Sequence, residues 1–327
     1  MKNVKTFLKS VNQKPLDPFI YIIKSPKSNH YKNQSVAKFF PDRRKIVLEK
    51  FILLKKPLQN LFSKVKKAFK DNYDLWPESI FCFNSIKKDL LLRINVSMNY
   101  PEKKLFELQE FLKNLDSKIC GGSIHKNFDK EFCKVMEFGR NFTYEKVDNF
   151  LFRISSESNF PENSYILPDI ISYLKNLFKK DFYNTLAHIN AKVGVFTIPL
   201  ARIFNKSFGF DPSPYNVYDA LINKDLARLQ KILYFFSKSI LESIPDLISI
   251  NPDVLIIENK SPISPKFFKE VIKNTFIKKI VLISDDLFQS DFLELKKYNF
   301  KLEKLAVAEI SPKEQNYLYI SSFIFKR

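Results

Sequence analysis

Residues 187–223, AHINAKVGVFTIPLARIFNKSFGFDPSPYNVYDALIN, decide the fold. The stretch holds Gly194 and Gly209, which are two of the chain's five glycines and the only two beyond residue 139. A strand is expected before Gly194 and an apolar helix after it. A second strand is expected over residues 207–210, followed by a helix over 216–226. A glycine at such a strand–helix turn lets a ligand approach the backbone. Asp211 closes the second strand, where a carboxylate can accept hydrogen bonds from the two hydroxyls of a ribose.

The alternation continues downstream. Strand-like runs at 253–257 and 279–284 are each followed by a helical pattern, at 265–273 and 288–297. A further helix is expected at 167–180. Such alternation predicts a parallel sheet covered on both faces. Residues 300–308 and 317–326 are two strand-like runs joined only by a loop. They predict a terminal hairpin whose last strand enters the sheet antiparallel.

The N-terminal half reads differently. Residues 1–45 are basic and weakly periodic, as expected of an N-terminal arm. Leu58, Leu61, Phe62, Val65 and Phe69 fall at helical spacing, with Lys64, Lys66, Lys67 and Lys70 on the other face. That face is either laid on phosphates or simply solvated. Two strands are expected within 78–99, around a turn at 84–88, and a helix over 101–116 with Pro101 in its first turn. Strands at 118–124 and 134–138 complete an α+β layout, with Gly121-Gly122 as the break between them. The expected domains are therefore a basic arm at 1–45, an α+β domain at 46–155 and an α/β domain at 156–327.

The 327 residues carry 54 Lys+Arg against 35 Asp+Glu, a formal charge of +19. Residues 1–155 hold 31 basic and 16 acidic side chains, and residues 156–327 hold 23 and 19. The excess of +15 in the first part, the expected nucleic-acid-binding surface, points to a polyanion, most simply RNA or DNA, bound through phosphate contacts. The abundance of Lys, Phe, Ile and Asn also fits the bias of an AT-rich genome, which inflates Lys without function. Hydrophobic residues make up 45%, enough for a sizeable core. No apolar run is long enough to span a membrane, and no secretory leader follows Lys2 and Lys5. Three cysteines (Cys82, Cys120, Cys133) build no disulfide framework, and their ordinary use is as buried small hydrophobes. A cytoplasmic location is expected. His30, His125 and His188 are scattered, so no metal site is expected. Asp285-Asp286 read as a helix N-cap.

The segment from Val193 to Asn223 resembles the S-adenosylmethionine site of the RNA uracil-C5 methyltransferases, which make 5-methyluridine in tRNA and 23S rRNA. The family pattern is close to DLYCGVGTFSLPLA, then a segment beginning VGVE. Val193, Gly194, Phe196, Pro199, Leu200 and Ala201 match the first part. Gly209, Ser213, Pro214, Val217, Asp219, Ala220 and Asn223 match the second, with Asp211 in place of the acidic Glu. Upstream, FRISSESNFPEN resembles the family's entry into this domain. Downstream, PDVLIIENKSPISP stands where the family has DVVLVDPPR. The likeness runs in order from about residue 45 to the last residue. It implies a Rossmann-like methyltransferase domain with a mixed sheet, an RNA partner (tRNA or rRNA), and S-adenosylmethionine held by Gly194, Asp211 and Glu258 in a pocket that the substitutions erode.

The chemistry that the resemblance implies needs a Cys thiolate. The thiolate adds to C6 of a flipped-out uracil, C5 takes the methyl group, and a carboxylate then removes the C5 proton. Here the nucleophile position falls on Asp285 and the base position on Leu318, and no cysteine follows Cys133. The family's first acid falls on His188, the Gly before its Val on Lys192, and its Gln on Pro161. Catalytic residues for uracil methylation are therefore not expected, and the chain reads as a degenerate member, a pseudoenzyme. Three functions stay open: a non-catalytic RNA-binding protein, an RNA methyltransferase acting on another atom without a Cys, and a protein-binding scaffold.

Overall fold

The computed structural model of the chain describes residues 2–11, 20–41, 45–48, 51–128, 131–179 and 181–326. The chain forms two compact units. One is Lys27–Ser164 and the other joins Met1–Pro26 to Tyr165–Arg327.

The N-terminal segment corrects the expected arm. Residues Lys2–Ser10 form helix α1, and Tyr21–Ile23 form strand β1. Val4, Leu8 and Val11 recur at helical spacing and are buried in the hydrophobic cluster of the C-terminal unit. Phe7 meets Phe292 edge-on at 5.0 Å between ring centroids. The lysines of this segment hid an apolar stripe, and the stripe rather than the charge decides where the segment lies. The domain boundaries accordingly fall at 26/27 and 164/165 instead of at 45 and 155.

The unit Lys27–Ser164 contains β2 (Gln34–Phe40), β3 (Lys45–Leu48), α2 (Lys56–Phe69), β4 (Ser79–Asn84), β5 (Leu90–Ser97), α3 (Glu102–Leu115), β6 (Ile119–Phe128) and β7 (Glu131–Gly139). The strands order as β3-β2-β4-β5-β6-β7, and β8 (Phe142–Val147) pairs with β9 (Phe150–Ser155) as a separate hairpin. All pairs in the larger sheet are antiparallel except β5–β6. The five apolar residues predicted for α2 are all buried, packing with Ile80, Leu92 and Ile94 of the sheet and Leu108 of α3. Each such burial stabilises by roughly 1.5–3 kcal/mol. Gly121 and Gly122 lie inside β6 and not between strands. A Cβ at Gly122 would stand 2.2 Å from the Leu92 carbonyl oxygen, so the glycine admits close strand approach at the β5–β6 bulge. Of the cysteines only Cys82 is buried. Cys120 is half-buried, and Cys133, on edge strand β7, is exposed, contrary to expectation.

The second unit continues with α4 (Leu167–Phe178), β10 (Thr185–Ile189), α5 (Thr197–Ala201), β11 (Lys206–Asp211), α6 (Pro214–Leu226), β12 (Leu233–Ser237), α7 (Ile244–Ile250), β13 (Val254–Asn259), α8 (Pro265–Lys273), β14 (Lys279–Ser284), α9 (Gln289–Lys297), β15 (Phe300–Ser311) and β16 (Asn316–Phe325). The eight-stranded order is β1-β15-β16-β14-β13-β10-β11-β12. Strands β10 to β14 are mutually parallel, and β16 pairs antiparallel with both β14 and β15, as the terminal hairpin predicted. This is a Rossmann-like α/β fold with a mixed sheet. Strand order reverses beside β10, which has β11 on one side and β13 on the other. In open α/β sheets ligands bind at the carboxyl ends of the strands at such a reversal.

The units also redistribute the charge. Lys27–Ser164 holds 26 basic and 17 acidic residues, and the other unit 28 and 18. The net charges are +9 and +10, so the excess is shared between the units. No helix among the described residues is long and apolar enough to cross a membrane.

Candidate ligand site at the strand-order reversal

Gly194, Asp211 and Glu258 converge on the carboxyl ends of β10, β11 and β13, where the sheet order reverses. The turn after β10 is built from left-handed residues: Asn190 (φ 59°), Lys192 (φ 51°) and Gly194 (φ 87°). A Cβ at Gly194 would come within 2.8 Å of Ile198 Cδ1 and 3.1 Å of the Phe235 ring. The left-handed backbone favours glycine here, and any side chain would also press the end of Ile198 aside. Helix α5 is a single short segment of five residues after this turn.

Asp211 is 3% exposed, and its carboxylate is already engaged by the chain. Oδ2 accepts from the Lys192 backbone N–H at 2.9 Å. Oδ1 accepts from the Ser213 backbone N–H and from Asn216 Nδ2, both at 2.9 Å. Asp211 thus joins the β10 turn to the start of α6, whose N-cap is Ser213. Asn223 donates to the Val193 carbonyl at 3.1 Å and holds the same turn from α6.

Glu258, the penultimate residue of β13, faces the β10 turn and is 8% exposed. Lys192 Nζ donates to its Oε2 at 2.5 Å, and His188 Nε2 lies 3.3 Å from Oε1. His188 is fully buried on β10 and hydrogen-bonds Thr197 Oγ1 through Nδ1 at 2.7 Å, while its Nε2 has no aligned hydrogen bond. Asn190 donates to the Glu258 carbonyl at 2.6 Å. Burial alone would push the Glu258 carboxyl up. The Lys192 ammonium and the His188 ring outweigh it and hold the carboxyl at about 2. An ion pair between the turn after β10 and the end of β13 therefore spans the strand-order reversal.

The next residues replace a rigid turn with hydrogen bonds. Asn259 Nδ2 donates to the Ser261 carbonyl at 3.0 Å and to Asp291 Oδ2 at 3.2 Å, and the Ile263 N–H donates to Asp291 Oδ1 at 2.9 Å. Asp291, in the first turn of α9, is 1% exposed, and burial pushes its carboxyl up to about 6 against the pull of these donors. Asp285 and Asp286 are exposed ahead of α9 and do not cap it. The N-cap position is Phe288, and Asp286 Oδ1 accepts from the Leu287 N–H at 2.7 Å. Leu318 is half-buried on β16. Among the described residues no group of His, Cys, Asp or Glu is arranged to hold a metal ion.

These two carboxyls impose opposite pH dependences. Glu258, held below its ordinary 4.5, adds stability that is complete above that value and is lost as the pH falls toward 2. Asp291, raised from 3.8, makes the folded protein retain a proton that the unfolded chain releases. Stability therefore falls as the pH rises from about 4 to about 6, by about 2–3 kcal/mol. Thermal unfolding of Asp291→Asn across pH 4–7 should show that fall removed. An unchanged slope would show that another group sets it.

The sequence offered Gly194 and Asp211 as strand-end residues and Glu258 only through the family resemblance, and it placed His188 in a strand end or the core. It treated Lys192 only as a lost glycine. The Lys192–Glu258 pair joins residues from different strands and leaves no local pattern. The positive charge directly before Val193-Gly194 was its one visible sign.

No family model matches the chain. It is 29% identical over 140 residues to an RNA methyltransferase candidate of Acanthamoeba polyphaga mimivirus; the match covers 40% of this chain and about a third (36%) of the relative. Among solved structures, the tRNA (uracil-54, C5)-methyltransferase of Pyrococcus abyssi, in complex with S-adenosyl-L-homocysteine, aligns over 98% of this chain and 81% of its own. The TM-score is 0.73 and the identity 15%. Methanocaldococcus jannaschii Trm5, in complex with adenosine, aligns over 86% of this chain and 83% of its own, with a TM-score of 0.47 and 17% identity. The chain thus shares its fold with the Pyrococcus abyssi protein, and an RNA methyltransferase family fits its sequence likeness to the mimivirus protein.

Proposed function

We propose that this protein is a cytoplasmic RNA-binding member of the methyltransferase fold in which uracil C5 methylation has been lost. The observation that carries the reading is the Lys192–Glu258 ion pair across the strand-order reversal, beside an Asp211 carboxylate engaged by three donors of the chain. S-adenosylmethionine carries a sulfonium cation, and the Lys192 ammonium stands where the related pattern has a glycine. The residues present do not fit that cofactor, because Lys192 already neutralises the Glu258 carboxylate and a sulfonium beside the pair would meet its ammonium. The chemistry is also unsupported. The unit formed by Met1–Pro26 and Tyr165–Arg327 contains no cysteine, and Asp285 offers a hard, weakly nucleophilic oxygen. Leu318 cannot take a proton. The charge of +19, shared by both units, supports phosphate binding.

Two measurements on the purified protein test this. Binding to transfer RNA should weaken linearly in log K against log salt, with a slope that reflects several phosphates. Isothermal titration with S-adenosylmethionine should give no heat at millimolar cofactor. Salt-insensitive RNA binding, or none, overturns the RNA reading. A clear titration that Asp211→Ala abolishes overturns the loss of the cofactor and favours methylation of a more nucleophilic atom, which needs positioning but no Cys.

A further inference from the structure

We propose that the helix-free face of the sheet in Lys27–Ser164 is a platform for single-stranded RNA, read by Phe40, by the Phe81–Arg93 stack, and by Lys38 and Lys45. The inference rests on the RNA-binding reading above and names the surface that performs it.

Helices α2 and α3 supply one side of this sheet with its core: Ala37, Phe39, Ile80, Cys82, Leu92 and Ile94 all turn toward them. Alternate residues of the same strands point the other way. The register aligns them in rows. Lys38 lies opposite Val47 on one side and Ser79 on the other, and Ser79 lies opposite Asn95. Val36 lies opposite Phe81, and Phe81 opposite Arg93. Phe40, two residues beyond Lys38, lies opposite Lys45.

This face has the composition of a nucleic-acid platform and lacks that of a protein interface core. Phe40 is 40% exposed at the end of β2, an aromatic ring that no packing requirement places in water. The Arg93 guanidinium lies over the Phe81 ring, 4.9 Å from its centroid. A planar guanidinium backed by a ring is a surface on which an unpaired base can stack. Lys38 and Lys45 are exposed, and neither is ion-paired among the described residues. Across the rows the neighbours are Val36, Val47 and Ser97, together with Ser79 and Asn95, which hydrogen-bond each other at 3.0 Å. Two carboxylates stand beside these rows: Glu137 on β7, ion-paired to Lys134, and the buried Glu157, which pairs with Lys134 at 3.5 Å, lies 3.8 Å from His125 Nε2 and acts on the Arg93 guanidinium. Phe40 and the residue opposite Phe81 are four positions apart on β2, about 13 Å along the strand. That separates two stacking sites with lysines between them, a pattern suited to an extended strand whose bases are splayed apart. The rival surface is the lysine stripe of α2, where Lys66, Lys67 and Lys70 are exposed with no aromatic side chain alternating among them. That stripe can meet phosphates but offers nothing for bases, so it suits a duplex.

The test uses the full chain and fluorescence anisotropy at low salt, with a labelled 12-nucleotide polyuridine and a labelled RNA duplex as probes. Phe40→Ala and Arg93→Lys, which keeps the charge but removes the planar group, should each weaken polyuridine binding roughly tenfold. The triple variant Lys66→Ala, Lys67→Ala, Lys70→Ala should change polyuridine binding much less. Phe40 is exposed, so Phe40→Ala is expected to fold, and its melting temperature verifies this. Wild-type polyuridine affinity in both face variants overturns the inference while the RNA-binding reading stands. Preference for the duplex, lost in the α2 triple variant, overturns it in favour of the helix stripe. Failure of the wild-type protein to bind either probe, or transfer RNA, overturns both.

Discussion

Lys279→Ala is expected to cost about 3–5 kcal/mol of folding stability, while Lys279→Met costs much less. Lys279 opens β14 and is 1% exposed. Its ammonium donates to the Leu177 carbonyl near the C-terminus of α4 at 2.9 Å and pairs with Glu303 of β15 at 3.0 Å. Asp181 stands 3.7 Å away, and the Tyr183 ring centroid 5.4 Å. Ser322 of β16 donates to the other side of the same interaction, reaching Glu303 at 2.8 Å. The Lys279 side chain therefore ties β14 to α4 and to β15, and Glu303 extends the link to β16, at the junction where the sheet changes from parallel to antiparallel. Truncation to Ala leaves a half-buried carboxylate without its nearest cation and a buried carbonyl without its donor, and opens a cavity. Met fills most of the volume and removes the charge that must be desolvated, so it tests packing separately from pairing. Urea unfolding followed by far-UV circular dichroism measures both. An Ala variant within about 1 kcal/mol of the wild type would show that water reaches Glu303 and replaces the ammonium.

What could be read from the sequence was what local spacing encodes. The helix Pro265–Lys273 and the strand Lys279–Ser284 coincide with their expected bounds, because each is a short apolar pattern between clear breakers. The terminal hairpin was legible for the same reason, since two strand-like runs with only a loop between them cannot make a parallel crossover. Helix α1 was missed because its lysines dominate the composition while only Val4, Leu8 and Val11 carry the buried stripe. Strand β12 was missed because it is the edge of the sheet, with Tyr234 and Phe236 exposed, and so does not look like a buried run. The ends of β10 and β11 could be named as a candidate site because a glycine or carboxylate at a strand end is a local signal, whereas Glu258 at the end of β13 was named only through the family resemblance. The partners of those residues could not. Asp291 braces the β13 loop from α9, and Lys192 reaches Glu258 across two strands, and both relations exist only after the sheet has assembled.

Lys192→Gly is expected to turn a protein that gives no heat with S-adenosylmethionine into one that binds it at least about tenfold more tightly. The backbone at residue 192 has φ 51°, a conformation that glycine adopts without the penalty of a Cβ, so the substitution relaxes the turn. It also removes the ammonium that holds the Glu258 carboxyl low. That carboxylate, 8% exposed and left with only His188 nearby, then needs a cation. A sulfonium-bearing ligand supplies one, and the vacated side-chain volume lies at the strand-order reversal where such folds take their ligands. Binding should be lost again in the double variant Lys192→Gly, Glu258→Gln, which separates charge from space. Isothermal titration of the two variants against S-adenosylmethionine and its thioether counterpart S-adenosylhomocysteine, which lacks the sulfonium charge, reads the result. Equal gain for both ligands would mean that Lys192 excludes by bulk alone. No gain for either would mean that the three donors on Asp211, not Lys192, close the site.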